Sequence, residues 1–237
     1  MPATIKVNCP KLNNGYNIKI RRGLIERLGI EILRLNEEKD CEILLISDEK
    51  VSSIYLQKVI FNFHECPKPD DIKLRFCELF IEATADSGNF EKVSDLLENM
   101  AELGLSENCI VAALGGSVVC GMAAFSAAAY KGGVKLVLVP TTLTAMINFS
   151  LSGNAFLDLR TGKNPAEISY SPSLVLYDID CLKTLPPNEY EADISRSLEI
   201  LKKNKNPEII KFFEHGGISD NIEKIIESCI KTRLKVS

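Results

Sequence analysis

The sequence predicts an α/β fold of two unequal lobes, strands and helices first and helices alone afterwards. Three observations carry that expectation. Short apolar runs alternate with helix-spaced patterns through the first half, as βα units require. A glycine pair, Gly115-Gly116, joins one such run to an alanine-rich segment. Beyond Leu185-Pro186-Pro187 the patterns are helical only, so the proline pair marks a lobe boundary.

Taken in order, YNIKI (16–20) and CEILLIS (41–47) read as strands, with Leu24, Leu28, Ile32 and Leu33 at helical spacing between them. A helix starts after Asp48, and LRFCELFIEA (74–83) is assigned as a strand although its alternation is poor. Phe90, Val93, Leu96, Leu97 and Met100 recur at three and four, and Gly104 stands where a left-handed C-terminal cap belongs. CIVAAL (109–114), a helix over about 117–130 and KLVLV (135–139) make one βαβ unit, which implies parallel neighbours. SLVLY (173–177) supplies another buried strand. Helices follow at 188–204, 206–214 and 219–235. The last places Ile222, Ile225, Ile226, Cys229 and Ile230 on one face, to pack on its two predecessors or to form a subunit interface.

Bulk properties exclude several classes. A chain of 237 residues, 46% hydrophobic and 25% charged, can bury a substantial core and is neither disordered nor fibrous. A net charge of −4 argues against nucleic-acid binding, which needs a basic face. The eight cysteines are scattered without a C-x-x-C pair, as buried small hydrophobes in a reducing compartment would be. No leader pattern opens the chain and no apolar run reaches the roughly 18 residues of a membrane span, so a soluble cytoplasmic protein is expected.

Glycines after the first strand of a βαβ unit let the backbone turn sharply and approach a pyrophosphate, and the free N–H groups of the next helix attract negative charge. Gly115 and Gly116 are placed for this, although a plain tight turn with small packing residues reads equally well. Thr141 and Thr142 in PTTLTA offer hydroxyls at the carboxyl end of a strand, or merely cap a turn. Lys163 and Asn164 in TGKN read as a polar loop pair. His64 and His215, the only histidines, have no paired spacing; His215 suits a helix C-terminus.

Together LGGSVV, VPTTLTA, TGKN and VLYDIDCLKTLPPNEY closely resemble the 3-dehydroquinate synthase family of the sugar phosphate cyclase superfamily, from about residue 41 to 200 and more weakly beyond. The resemblance implies a dehydroquinate synthase-like fold: a Rossmann-like nucleotide-binding lobe over 1–185 and a shortened all-helical lobe over 186–237. It also implies NAD, a divalent zinc or cobalt ion, and conversion of 3-deoxy-D-arabino-heptulosonate 7-phosphate into 3-dehydroquinate and phosphate, a lyase step of the shikimate pathway to aromatic amino acids. Cofactor contacts carry over to Asp48, Gly115, Gly116, Thr141, Thr142 and Thr184. Substrate-side contacts carry over to Lys163 and Asn164.

The departures from the family pattern cluster at the chemistry. Gly121 takes the place of a cofactor-site aspartate, Ala85 and Gly88 replace the Glu and Lys of a G-E-x-x-K loop, and Gly132 stands where an arginine is usual. Asn148 and Asn154 replace an aspartate and a substrate-facing lysine. Arg196 replaces the glutamate ligand of A-E-V-I-K, Glu199 replaces its lysine, and the family's H-T-x-G-H histidines have no counterpart in these residues. A catalytic zinc needs about three protein ligands, so no ligand set is expected here and NAD binding is expected to be weakened. Three functions are consistent with this pattern: an active synthase or related cyclase; a pseudoenzyme that keeps a nucleotide or sugar phosphate pocket and binds a partner, such as an intact synthase; or a decayed copy. A homodimer accords with the family.

Overall fold

The computed structural model describes residues 3–7, 15–37, 39–84, 88–147, 149–151, 153–159, 162–203, 210 and 218–236. Seven strands make one sheet: β1 (Ala3–Val7), β2 (Tyr16–Arg21), β3 (Cys41–Asp48), β4 (Leu74–Ile81), β5 (Ile110–Gly115), β6 (Lys135–Pro140) and β9 (Leu174–Asp178). Their spatial order is β1-β2-β9-β6-β5-β3-β4, parallel throughout except for the antiparallel β1–β2 pair at one edge. A separate antiparallel hairpin holds β7 (Asn154–Leu159) and β8 (Gly162–Ser169).

The central strands are apolar without interruption because both faces of the sheet are covered. One face sends Ile43, Leu45, Ile110, Ala112, Leu114, Val137, Val139 and Leu176 against α1 (Leu28–Leu35) and α2 (Glu49–His64). The other sends Leu44, Ile46, Val111, Ala113, Leu136, Leu138, Val175 and Tyr177 against α3 (Phe90–Glu102) and α4 (Ser117–Ala129). Helix α3 is amphipathic, burying Val93, Leu96 and Met100, and it stops at Leu103 before Gly104 at φ +64°. Helix α4 is apolar all round because the sheet lies on one side and the β7–β8 hairpin on the other.

Two features of the sheet's flank were not read from the sequence. The first is β1, a short edge strand. The second is the hairpin, whose β8 takes in the Gly162-Lys163-Asn164 part of TGKN: Lys163 and Asn164 belong to a strand and not to a loop. The hairpin explains Gly121. A Cβ there would meet the Phe156 carbonyl of β7 at 3.2 Å and the Phe149 ring at 3.6 Å, so glycine lets hairpin and helix close together.

Helix α5 (Leu143–Ile147) follows β6, and α6 (Pro187–Lys203) and α7 (Ile218–Val236) complete the described chain. The predicted helix over 206–214 lies outside the described residues but for residue 210. The stripe of α7 packs on α5 and on the 149–151 turn, and its five apolar residues join the core on the α4 side of the sheet. The stripe is thus covered within the chain by an earlier element, while its expected packing on 206–214 falls outside the described residues. Behind it, the Ser150 hydroxyl bonds the Ala145 and Met146 carbonyls at 3.0 and 3.1 Å, and Tyr16 donates to the Ser150 carbonyl at 2.9 Å. All seven cysteines outside the masked N-terminal stretch are free. Among the described residues no helix is long and apolar enough to cross a membrane.

Candidate functional site

The carboxyl ends of β3, β5 and β6 open into a cleft of about 640 Å³, closed on its far side by the turn at 181–186 and the first two turns of α6. This is where ligands sit in open α/β sheets. Its character is set by three helix N-termini, whose first N–H groups have no partner within their own helix.

Two of the three are capped. The Asp48 carboxylate accepts the Val51 N–H at 3.0 Å and closes α2. The Asp193 carboxylate reaches from α6, across 50 residues of sequence, and accepts the Leu143 and Thr144 N–H groups at 2.5 and 3.1 Å. Thr142 adds its own hydroxyl as acceptor for the Ala145 N–H at 3.2 Å, so α5 is closed twice. Helix α4 differs. Its N-cap is Gly116, which has no side chain to cap with, and the first intrahelical bond is Cys120 N–H to the Gly116 carbonyl at 3.0 Å. The N–H groups of Ser117, Val118 and Val119 therefore lack intrahelical acceptors, and all three residues line the cleft.

The two glycines do different work. A Cβ on Gly115 would lie 2.6 to 2.9 Å from the Val119 side chain, so the strand can turn into the helix only with glycine there. Its carbonyl accepts the Thr141 N–H at 2.9 Å and locks the end of β5 to that of β6. Gly116 has ordinary room, the nearest atom to a Cβ being Thr142 Cγ2 at 3.5 Å. Gly115 builds the turn, and Gly116 faces the cleft.

On the far wall, Tyr55 and Thr184 share a hydrogen bond of 2.6 Å, and the Thr184 hydroxyl donates to the Cys181 carbonyl at 2.9 Å. Burial pushes the Tyr55 hydroxyl and the Cys181 thiol far up, so both stay protonated at neutral pH. Glu189, Ala192, Asp193 and Arg196 make an i, i+3, i+4, i+7 stripe of α6 along the cleft. Glu189 takes the Lys50 ammonium at 3.0 Å across the opening.

Asp48, Gly116, Thr141, Thr142 and Thr184, drawn from four separate segments, thus converge on one cleft, with Gly115 directly behind it. Lys163 and Asn164 belong to β8, and the placement of their side chains lies outside what is described. Lys50 and the capping role of Asp193 were missed; the only signal for Asp193 was its place in the α6 stripe. His64 ends α2, and His215 lies outside the described residues. Among the described residues no three metal-ligating side chains come together.

Comparison with known proteins places this geometry. Residues 78–192 match the family model of the 3-dehydroquinate synthase N-terminal region. A 3-dehydroquinate synthase of Prochlorococcus marinus subsp. pastoris is 30% identical over 240 residues, covering 96% of this chain and 63% of the relative. That of Alkaliphilus metalliredigens is 37% identical over 193 residues, 80% of this chain and 49% of the relative. The chain thus spans less than two thirds of these relatives' length. Among solved structures, 2-deoxy-scyllo-inosose synthase complexed with carbaglucose-6-phosphate, NAD+ and Co2+ superposes with a TM-score of 0.77 at 20% identity, over 99% of this chain and 62% of that one. A 2-epi-5-epi-valiolone synthase from Streptomyces hygroscopicus with NAD+ and Zn2+ gives 0.68 at 20% identity, over 93% and 60%. Both share the fold.

Proposed function

Because the chain belongs to the 3-dehydroquinate synthase family, we propose that it is a nucleotide-binding homologue that holds NAD in this cleft, and that these 237 residues by themselves do not turn over the heptulosonate. Residues 1–185 form the nucleotide-binding part in this reading, and 186–237 the helical part. The observation that carries it is the uncapped N-terminus of α4, opened by Gly116 beneath Thr141 and Thr142. Three N–H groups without acceptors at the positive end of a 13-residue helix suit a pyrophosphate. Bound NAD would supply a hydride acceptor. The chain's own residues would bind and orient it.

A catalytic divalent ion does not fit the cleft's described residues. Its carboxylates are engaged, Asp48 and Asp193 on helix N-termini and Glu189 on Lys50. Arg196 adds a positive charge that repels a cation. No step is therefore routed through a metal. Hydride transfer needs an alcohol proton removed and developing charge stabilised, and among the described lining residues no carboxylate is free for it.

Calorimetric titration with NAD, beside a phosphate-release assay on the heptulosonate 7-phosphate with zinc or cobalt and an intact family member as control, tests both halves. Saturable NAD binding without phosphate release is expected. Absence of NAD binding overturns the first half. Turnover that survives removal of contaminating synthase overturns the second.

A further inference from the structure

The sheet ends differently at its two edges. At one, β1 is five residues long and turns Thr4 and Lys6 outward, short and charged as a guarded edge is. At the other, β4 runs for eight residues, LRFCELFI, in unbroken register with β3 from the Cys41–Leu74 pair to the Asp48–Ile81 pair, without proline, glycine or bulge. Cys41 donates its N–H to the Lys73 carbonyl at 3.0 Å. In a parallel pair this turns the N–H and C=O of Arg75, Cys77 and Leu79 toward β3, and those of Leu74, Phe76, Glu78 and Phe80 outward. Among the described residues those outward groups have no partner. The side chains beside them are apolar: Phe80 is 46% exposed, and Phe76, Cys77 and Leu79 are half-buried. Helix α2 flanks them on one side, with Phe63 against Phe76 at 4.9 Å, and α3 on the other, where Arg75 is held by the Leu103 carbonyl and by Glu42. Glu78 is the one charge of β4 without an ion pair among the described residues.

We propose that two copies of this chain join at β4, antiparallel about a two-fold axis at Glu78, so that the sheet continues from one copy into the other. A long, flat, apolar edge is a template for another strand, and this one is its own complement. In that register Phe76 lies opposite the partner's Phe80 and Cys77 opposite the partner's Leu79, apolar on apolar on both faces. An axis at Cys77 would set Phe76 against Glu78 instead. The size suffices. Eight residues at about 3.3 Å give roughly 26 Å of edge. With the near halves of two flanking helices, each about 10 Å across, the edge stands roughly 20 Å high. That is on the order of 500 Å² per copy and about 1,000 Å² in all, the size a specific interface needs. The Glu78 carboxylates meet at the axis, and like charges directly opposite oppose the pairing. They limit its strength and give it a signature that pairing with an unrelated strand lacks.

Sedimentation of the whole chain over a range of concentrations, beside four variants, tests this. The parent is expected to pass from monomer to dimer. E78Q removes the opposed charges and should tighten the dimer about threefold or more. E78P deletes an outward N–H and no bond to β3, and F80K sets a charge opposite the partner's Phe76; each should weaken the dimer about tenfold or more and melt close to the parent. Should E78P not fold, F80K decides the same point on the native backbone. Opposed residues that do not bond each other lie about 4.5 Å apart at Cα, within disulfide reach. L79C, which places a thiol opposite the partner's Cys77, should therefore give a cross-linked dimer on a non-reducing gel after mild oxidation, and the parent should not. A parent that stays monomeric, a dimer that F80K leaves intact or that E78Q fails to tighten, an L79C protein without the cross-link, or a parent cross-linked through Cys77 overturns the proposal.

Discussion

Replacing each of the two turn glycines by alanine should separate folding from binding. In G115A the new Cβ must share space with three Val119 side-chain atoms at 2.6, 2.7 and 2.9 Å, one of them the Val119 Cβ, which moves only with the backbone of α4. Val119 is itself fully buried, so it has no open side to retreat to. Overpacking of this kind costs about 1–3 kcal/mol. For a chain of this length that lowers the melting temperature by roughly 2–4 °C per kcal/mol. G116A adds a Cβ whose nearest neighbour is 3.5 Å away, at an extended backbone any residue adopts, and should cost less than about 1 kcal/mol, as a weaker N-cap. The same methyl stands at the mouth of the α4 N-terminus, so NAD affinity should fall about tenfold or more in G116A. Urea unfolding and calorimetric titration of both variants read the two quantities. A G115A protein as stable as the parent, or a G116A protein that binds NAD unchanged, would refute the division of labour between the two glycines.

Three further outcomes are expected. Restoring the family's aspartate with G121D should destabilise the chain by about 3 kcal/mol or more, because the carboxylate would be pressed against the Phe156 carbonyl in a buried contact; thermal melting measures it. D193A strips the acceptor from two α5 N–H groups, one of them buried, and should cost about 1–3 kcal/mol, with amide exchange rising first at Leu143 and Thr144. Lys183, then Arg22, holds the Asp180 carboxyl below the usual carboxylate range, so its contribution is full above the unfolded value near pH 4 and is lost as pH falls through the folded one. Arg22 also pairs with Glu223 of α7, so acid should loosen the α7 end before the sheet, detectable by hydrogen exchange.

Strands β3, β5, β6 and β9 were legible because burial on both faces demands unbroken apolar runs, and α3 because only one of its faces is buried. The hairpin was not. Its strands lie against helices on one side and not within a two-sided sheet, and TGKN carries the polar composition of a loop. The convergence of Asp48, Gly116, Thr141, Thr142 and Thr184 was legible through the family pattern, since spacing alone left each with an ordinary structural explanation. The role of Asp193 could not be read, because a cap supplied from 50 residues away leaves no local trace. Gly121 illustrates another limit: beside the departure read at the cofactor site, the folded chain shows a close approach of α4 to β7 that the sequence pattern did not reveal.

Strand β9 lies between β2 and β6, and the Asp178 carboxylate at its end accepts the Gly23 and Ile25 N–H groups, the first across 155 residues. The early strand β2 is therefore joined to the rest of the sheet by one of the later strands. At roughly 5–20 residues per second, β2 waits on the order of 8–30 s with only its β1 hairpin for company. During that interval Ile18, Ile20 and Tyr16, all destined for the interior, have nothing to cover them. The biosynthetic hazard of this fold lies at β2, and it ends only when residues near 178 arrive.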